Sequence, residues 1–274
     1  MNTGAAAASD AGTTVAVEPA AALTVVAEQV RLAVADAPDI LAGIDLAVRD
    51  GEFVAIVGPS GCGKTTFLNM VAGLQPHTSG RLSVIGAPPR AGRRETAYAL
   101  ARDALLPWRD ALGNVELALQ IRGVPPAERR RRAADTLAKV GLGDALARHP
   151  AQLSQGMRQR VALARTFVTE PRLLILDEPF AALDAQTRIR MQELLLALLR
   201  QFAGTMIMVT HDIAEAIMLS DRVVVFSKRP AVVTAIYDVR LDNRKRRGSE
   251  LRSDPAFSRL FEQIWQDIER GFEP

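Results

Sequence analysis

Short apolar runs alternate with stretches of helical periodicity from residue 23 onward. The runs at 53–57, 82–85, 173–176, 205–209 and 223–226 are short and apolar, which is typical of buried strands. Apolar residues at helical spacing follow several of these runs. Strands and helices in this alternation predict an α/β fold with a largely parallel sheet.

The strand rhythm stops between about residues 101 and 158, where the segments NVELALQIRG and PPAERRRRAADTLAKVGL carry helical periodicity. We expect an inserted helical subdomain there. The last segment, 229–274, contains the basic run NRKRRG and ends in a helical pattern with one apolar face, formed by Phe257, Leu260, Phe261, Ile264, Trp265 and Ile268. A regulatory domain, a dimer brace and a simple packing helix all fit this appended segment.

Residues 1–22 are rich in Ala, Thr and Gly and hold few large apolar side chains, so they predict a disordered tail. The first basic residue is Arg31, and acidic residues interrupt the apolar stretches before it, so we expect no signal peptide and no export. No run approaches the roughly 18 to 20 apolar residues of a membrane-spanning helix. Any role at a membrane would require a partner that spans it.

The composition, 48% hydrophobic and 24% charged, is that of a soluble globular protein. A net charge of +3 is small for 274 residues, so we expect no nucleic-acid partner despite a pI near 9.4. We interpret the basic run ERRRRAAD (128–135) as a solvated helix face, with contact to nucleic acid or anionic lipid as the alternative. The single cysteine, Cys62, excludes an intramolecular disulfide and fits a reducing compartment.

The stretch GPSGCGKTT (58–66) matches the phosphate-loop pattern GxxxxGK[ST] and stands between an apolar strand and a helical pattern, as that motif requires. Its backbone N–H groups would face the phosphates, Lys64 would reach the β- and γ-phosphates, and the Thr65 hydroxyl would ligate Mg²⁺. A glycine-rich turn with an incidental lysine is the alternative. We expect the nucleotide to be bound by Gly58, Pro59, Ser60, Gly61, Cys62, Gly63, Lys64, Thr65 and Thr66. Cys62 could also be a low-pKa thiol at a helix start, although a small filler fits better.

Two further apolar runs end in polar residues. LLILDEP (173–179) brings Asp177 and Glu178 to the C-terminal edge of a buried strand, where ligands of α/β sheets bind. Asp177 would hold Mg²⁺, directly or through a water molecule, and Glu178 would polarise the water that attacks the γ-phosphate. MIMVTHD (206–212) places His211 at a similar strand end, where it could contact the γ-phosphate. A solvated acidic strand end and an ordinary hydrogen-bonded histidine are the alternatives.

The stretch LSQGMRQR (153–160) places a serine and a glycine ahead of an amphipathic continuation, which predicts a helix start. The N-terminus of a helix is positively polarised and suits a phosphate. Because the phosphate loop already provides one phosphate site, this stretch indicates a second one.

Together these motifs resemble those of the nucleotide-binding subunit of ABC transporters. GPSGCGKTT resembles its Walker A motif, LSQGMRQR its signature motif, LLILDEP its Walker B motif, AALDAQTR (181–188) its D-loop and VTHD its switch-histidine region. The resemblance covers about residues 23–228, which we take as the ATPase domain. It implies a P-loop NTPase (RecA-like) core with a mainly parallel sheet, a small antiparallel β part and the inserted helical subdomain.

The resemblance also implies a homodimer in which two chains sandwich two ATP molecules head to tail. Ser154, Gln155 and Gly156 of one chain would cap the γ-phosphate held by the phosphate loop of the other chain. Asp184 of the D-loop would join this nucleotide site. Closing such an interface excludes water and aligns donors on the charge that develops during hydrolysis.

The segment ALLPWRDALGNVELAL (104–119) is similar to the subgroup of ABC subunits that serves importers of nitrate, sulfonates and taurine. The similarity implies transmembrane permease subunits, an external solute-binding protein and a peripheral location at the cytoplasmic face of the membrane. Residues 105–108 would lie near the coupling helix of the permease. Alternatively, Trp108 packs on the helical subdomain.

Two departures from the family pattern matter. The position of the family's Q-loop glutamine, a contact to Mg²⁺ and water, holds Ala101 in this sequence. No aromatic residue precedes Phe53, so stacking on the adenine would be lost, at a cost of about 1 to 3 kcal/mol if base stacking in nucleic-acid sites is a guide.

An ATPase that powers a solute importer is the function that this pattern favours. A soluble ABC ATPase of translation or DNA repair is one alternative, although such proteins usually carry paired nucleotide domains or a long coiled-coil insertion. An ATP-binding regulatory subunit with little hydrolysis is another. Ala101 and the missing aromatic residue favour this second alternative. The presence of Lys64, Asp177, Glu178 and His211 argues against it.

We predict that Ala101→Gln raises the basal ATPase rate, because an amide oxygen can ligate a cation and a methyl group cannot. The rates of the variant and of the wild type, measured at saturating ATP and Mg²⁺, check this. An unchanged or lower rate would show that either the alignment of Ala101 with the glutamine position or the role assigned to that position is wrong.

Overall fold

The computed structural model describes residues 22–35, 37–99, 104–199, 201–241 and 248–270. Within these ranges the chain forms a six-stranded sheet, a three-stranded sheet and a group of helices. The predicted tail, except residue 22, lies outside the described residues. So do Ala101 and most of the basic run NRKRRG.

The strands are β1 (Leu23–Val34), β2 (Ala37–Arg49), β3 (Phe53–Val57), β4 (Ser79–Val84), β5 (Thr96–Ala99), β6 (Leu173–Asp177), β7 (Thr205–Val209), β8 (Arg222–Phe226) and β9 (Val233–Asp238). The α-helices are α1 (Lys64–Val71), α2 (Ala111–Ile121), α3 (Pro126–Lys139), α4 (Gln155–Phe167), α5 (Ala185–Leu199), α6 (Ile213–Leu219), α7 (Gly248–Arg252) and α8 (Pro255–Arg270). None of the helices in the described ranges combines the length and the apolar composition that a membrane crossing requires.

The large sheet has the strand order β5-β6-β7-β3-β8-β9. Its first five strands are parallel, and β9 pairs with β8 in the antiparallel direction. Every residue of β3, β6 and β7 is buried, which explains why these strands are continuous apolar runs. The predicted α/β fold with a largely parallel sheet is confirmed, and the three strands carry their C-terminal ends to one edge.

The small sheet, of order β2-β1-β4, is antiparallel and covers the α1 face of the main sheet through a shared apolar cluster. The apolar pattern predicts only one of its strands, β4, because the predicted run at 82–85 overlaps the second half of this strand. The long strands β1 and β2 escape prediction because several register shifts between them interrupt the alternation of apolar and polar positions. The small antiparallel part that the family resemblance implies is thereby confirmed.

The C-terminal segment is joined to the main domain. Strand β9 lies beyond residue 228, where we expected the ATPase domain to end, and it forms an edge of the main sheet. Helix α8 buries Phe257 and Ile264 in the core cluster that also contains α6. Trp265 is half-exposed on the outer side of α8. The expected boundary at 228 therefore falls between the paired strands β8 and β9, which belong to the same sheet.

Helices α2, α3 and α4 pack together around their own apolar cluster, formed by Leu112, Val115, Leu119, Leu137 and Val161 among others. They are the helical subdomain that the sequence predicts, and α4 continues it to residue 167. The run 128–135 lies on α3, where Arg130 and Arg131 are exposed. Arg132 instead donates to the carbonyl oxygen of Val168 at 2.9 Å and so ties α3 to the end of α4.

Asn114, fully buried on α2, fastens the preceding loop to the helix. Its Oδ1 accepts a hydrogen bond from the N–H of Leu106, and its Nδ2 donates to the carbonyl oxygens of Leu106, Arg109 and Asp110. This loop carries Trp108, whose side chain is 71% exposed, so Trp108 does not pack into the subdomain.

We predict that Asn114→Ala lowers the free energy of unfolding by about 2 to 3 kcal/mol, because it leaves buried backbone groups of the loop without partners. Denaturant titration followed by circular dichroism measures the change. Arg130→Ala, an exposed position on α3 of the same subdomain, is the matched control and should stay within about 0.5 kcal/mol of the wild type. Equal stability of the two variants would contradict the role of Asn114.

Candidate functional site: a phosphate loop at the edge of the sheet

The phosphate loop, residues 58–66, connects β3 to α1 and is held close to neighbouring strands. Gly58 has φ 152°, and a Cβ there would lie 2.6 Å from the carbonyl oxygen of Phe226 on β8. Gly63 has φ 120°, and a Cβ there would lie 2.8 Å from Cδ2 of Leu41 on β2. Only glycine fits at both positions, so these two residues let the loop curl over the end of β3.

Lys64 begins α1 and lies almost entirely inside the loop. Its Nζ donates to the carbonyl oxygens of Gly58 and Pro59, both at 2.8 Å. Burial lowers the pKa of the ammonium group. The positive charge and the free N–H groups at the start of α1 together form a cradle for an anion such as a phosphate.

Cys62 points into the core beside the loop and is buried. Burial raises the pKa of its thiol, and this effect is larger than the lowering of the pKa by the charge of Lys64. The interpretation of Cys62 as a low-pKa thiol is therefore wrong, and the side chain fills space beneath the loop.

Thr65 and Asp177 bring two hard oxygen ligands together. The Thr65 hydroxyl donates to Oδ1 of Asp177 at 3.0 Å, although the two residues are far apart in sequence. Burial raises the pKa of Asp177 above its usual range. Mg²⁺ sites often use one or two protein oxygens together with phosphate oxygens, so this pair fits Mg²⁺. No group of three or more His, Cys, Asp or Glu side chains in the described ranges forms an all-protein metal site.

Glu178 and His211, from the ends of β6 and β7, meet at the same edge. Nε2 of His211 lies 2.5 Å from Oε1 of Glu178. Glu178 has φ 46°, a left-handed conformation unusual outside glycine, and its N–H donates to the carbonyl oxygen of Val209 at 2.9 Å. The chain thus turns sharply as it leaves β6 and aims this carboxylate at the histidine. Such a pair can orient a water molecule for attack on a phosphate.

One cleft of 170 Å³ joins most of these groups. It is lined by Gly61, Gly63, Lys64, Thr65, Thr66, Glu178 and His211, and also by Ile40 and Arg229. The guanidinium of Arg229 donates to the carbonyl oxygens of Asp39 at 3.1 Å and Pro38 at 2.5 Å. No sequence motif marks Ile40 or Arg229, because the tertiary fold brings their segments to the cleft.

The signature stretch lies apart from this cleft. Ser154 caps α4, which begins at Gln155 as predicted, and its hydroxyl accepts a hydrogen bond from the N–H of Met157. The side-chain amide of Gln155 donates to the carbonyl oxygen of Ala182. Ser154 and Gln155 are exposed, so they present the N-terminus of α4 to solvent.

The D-loop packs directly against the signature stretch. Asp184 is exposed, and its Oδ1 accepts a hydrogen bond from the N–H of Thr187 at 3.0 Å, which lowers the pKa of this carboxyl. A Cβ on Gly156 would lie 2.8 Å from Cγ2 of Thr187. Asp184 and the signature residues therefore form a second group, and none of them lines the cleft of the phosphate loop.

Two residues near Asp177 are not predicted by any motif. The hydroxyl of Tyr98, on β5, lies 3.4 Å from Oδ2 of Asp177 and 3.1 Å from Oδ1 of Asn69, on α1. Tyr98 belongs to a short strand without the apolar pattern that marks the other parallel strands.

Comparison with known proteins identifies this arrangement. A family model described as ABC transporter matches residues 41–181. The taurine import ATP-binding protein TauB of Chromobacterium violaceum is 44% identical over 231 residues, which cover 83% of this chain and 88% of that protein. The aliphatic sulfonates import ATP-binding protein SsuB of Ralstonia nicotianae is 47% identical over 227 residues, covering 82% and 75% of the two chains.

Solved structures agree with this sequence comparison. The dimeric post-hydrolysis state of the ATP-binding cassette MJ0796, bound to ADP and Pi, has a TM-score of 0.69 and 30% sequence identity, covering 79% of this chain and 99% of that one. The cbiO1 protein of Clostridium perfringens, part of the ABC transporter complex cbiONQ, has a TM-score of 0.73 at 26% identity, covering 88% and 99%. The chain therefore belongs to the ABC transporter family, in which it is an ATP-binding subunit that hydrolyses ATP.

Proposed function

We propose that this ATPase drives the import of small organosulfonates such as taurine, through separate permease subunits that receive the solute from an external binding protein. Its similarity to relatives named for the import of taurine and of aliphatic sulfonates carries this choice of solute. The subunit would be bound peripherally at the cytoplasmic face of the membrane.

The residues in and beside the cleft would have separate roles in hydrolysis. Lys64 and the N–H groups of the phosphate loop hold the β- and γ-phosphates. Thr65 and Asp177 would hold Mg²⁺, which would neutralise charge on the phosphates. Glu178 accepts a hydrogen bond from the attacking water, while His211 keeps this carboxylate in place and reaches the γ-phosphate.

The exposed second group supports a head-to-tail homodimer. Ser154, Gln155 and Gly156 of one chain would cap the γ-phosphate in the cleft of the other chain, with Asp184 beside them. The N-terminus of α4 is positively polarised and open to solvent, as such a contact needs. The cassette MJ0796, which is similar to this chain, is dimeric in two solved structures.

A groove beside β5 supports docking of a permease. It has a volume of 460 Å³ and lies between β5 and the helices α2 and α4. Leu117, Ala118 and Ile121 form an apolar part of its lining, and Arg94 and Arg165 also line it. Ile121 is 76% exposed and neighbours Leu117 and Ala118 on the same face of α2, so the three side chains form an apolar patch with polar residues around it, which is typical of a surface that binds another protein.

We predict that Glu178→Gln lowers the ATPase rate about 100-fold or more, because an amide cannot take a proton from water, while ATP binding stays near that of the wild type. The variant should also accumulate as a dimer in ATP and Mg²⁺. Rates are measured by phosphate release and dimers by light scattering. Glu193→Gln, an exposed position on α5, is the matched control and should behave as the wild type.

The same variant tests the transport role. Cells that lack this chain should lose uptake of radiolabelled taurine or alkanesulfonates, and the wild type, but not Glu178→Gln, should restore it. Normal uptake of these sulfonates in the deletion strain would contradict the proposed solute. A hydrolysing Glu178→Gln variant would contradict the role of the carboxylate instead.

We predict that Ile121→Arg weakens attachment to the permease by about 2 kcal/mol, or roughly 30-fold in affinity, because it places a charge in the apolar part of the groove lining. The fraction of tagged protein that remains with washed membranes of its native cells measures attachment. Ile236→Arg, which changes a 47% exposed residue on β9, is the control. Both variants should keep the ATPase activity of the free subunit, and equal membrane recovery would contradict docking in this groove.

A further inference from the structure

Tyr98 connects two parts of the molecule that the proposed function treats separately. It lies on β5, the edge strand of the main sheet, and lines the groove beside α2. Its hydroxyl reaches Asp177 and Asn69 on the inner side. A phenol hydroxyl is protonated at neutral pH and can donate a hydrogen bond.

The hydrogen bonds around Tyr98 favour donation to Asp177. The hydroxyl carries one proton but faces two acceptors, Oδ2 of Asp177 and Oδ1 of Asn69. Because the oxygen and nitrogen of an amide can be exchanged by a flip, Asn69 can present its NH₂ group and donate to Tyr98. The phenol proton then goes to Asp177, the charged partner and the stronger acceptor.

Each carboxylate oxygen of Asp177 therefore contacts one hydroxyl group. The Thr65 hydroxyl donates to Oδ1 at 3.0 Å, and Tyr98 faces Oδ2. The Thr65 hydrogen bond, together with the longer contact to Tyr98, restricts rotation of this carboxylate and would set the direction in which its oxygens face a cation. Hydrogen bonds that orient a ligating carboxylate typically change metal affinity by about 10-fold or more when they are removed.

We propose that Tyr98 is a positioning residue that orients Asp177 for Mg²⁺ and transmits occupancy of the groove to this carboxylate. The inference rests on the proposed function, because it takes Asp177 as the metal ligand and the groove as the docking surface. A helix pressed into the groove would bear on the ring of Tyr98 and shift the hydroxyl against Asp177.

The first experiment removes only the hydroxyl. Binding of a fluorescent ATP analogue is titrated with Mg²⁺ for the wild type and Tyr98→Phe, and is measured separately in EDTA. We expect the Mg²⁺ concentration for half-maximal effect to rise about 10-fold in Tyr98→Phe, with unchanged binding in EDTA. A titration identical to that of the wild type would overturn the inference.

Two control variants separate the possible failures. Tyr237→Phe also removes a phenol that donates to a carboxylate, that of Asp267, but on β9 and α8. It should leave the Mg²⁺ titration unchanged, and an equal shift in this variant would overturn the specific role of Tyr98. Asp177→Asn should remove most of the Mg²⁺ effect; if it does not, the proposed metal site fails rather than the role of Tyr98 alone.

The second experiment tests the connection to the groove. Ile121→Cys is labelled with a bulky maleimide or with a small methylthiol reagent, and the wild type receives the same reagents to control for Cys62. We expect the bulky label, but not the small one, to shift the Mg²⁺ titration. The shift should disappear when Tyr98→Phe is also present. Equal shifts in both backgrounds, or no shift in either, would overturn the transmission through Tyr98.

Discussion

Three adjacent parallel strands that are buried along their whole length determine where the chemistry of this protein takes place. In the sheet, β7 lies between β6 and β3, and Val209 pairs with Asp177 on one side and with Ile56 on the other. The three strands therefore end level with one another. The phosphate loop, the two carboxylates and His211 follow these ends, so backbone pairing and apolar burial in the core bring the site together.

The candidate site residues form two separate groups that differ in position and exposure. The cleft group joins Lys64 and the pair of Glu178 and His211 around a space for phosphate. The signature group, Ser154 with the D-loop, is exposed and points away from that space. A single chain thus carries a phosphate cradle and a separate helix N-terminus, and in the proposed head-to-tail dimer each cradle would face the helix N-terminus of the other chain. If hydrolysis depends on association, as proposed, it would couple the chemistry to the movement of two subunits, and hence to a permease.

Local patterns predicted the parts of the structure that are set by local chemistry. The fully buried strands, the phosphate loop and the cap at Ser154 are visible in sequence because burial on both faces, tight turns and helix starts each require particular residue types. Strands β1 and β2 are missed because bulges interrupt their alternation, and β9 because its half-buried residues give a weak pattern. Tyr98 and Arg229 enter the site through contacts between distant segments, which no local pattern records.

We propose that the complete hydrolytic site forms only between two chains. The ATPase rate per chain, measured as a function of protein concentration at saturating ATP and Mg²⁺, tests it most directly. If two chains share each site, the rate per chain rises with concentration and levels off once the dimer is populated. A rate per chain that is finite and constant from the lowest concentration, under conditions where light scattering shows only monomers, would contradict the account.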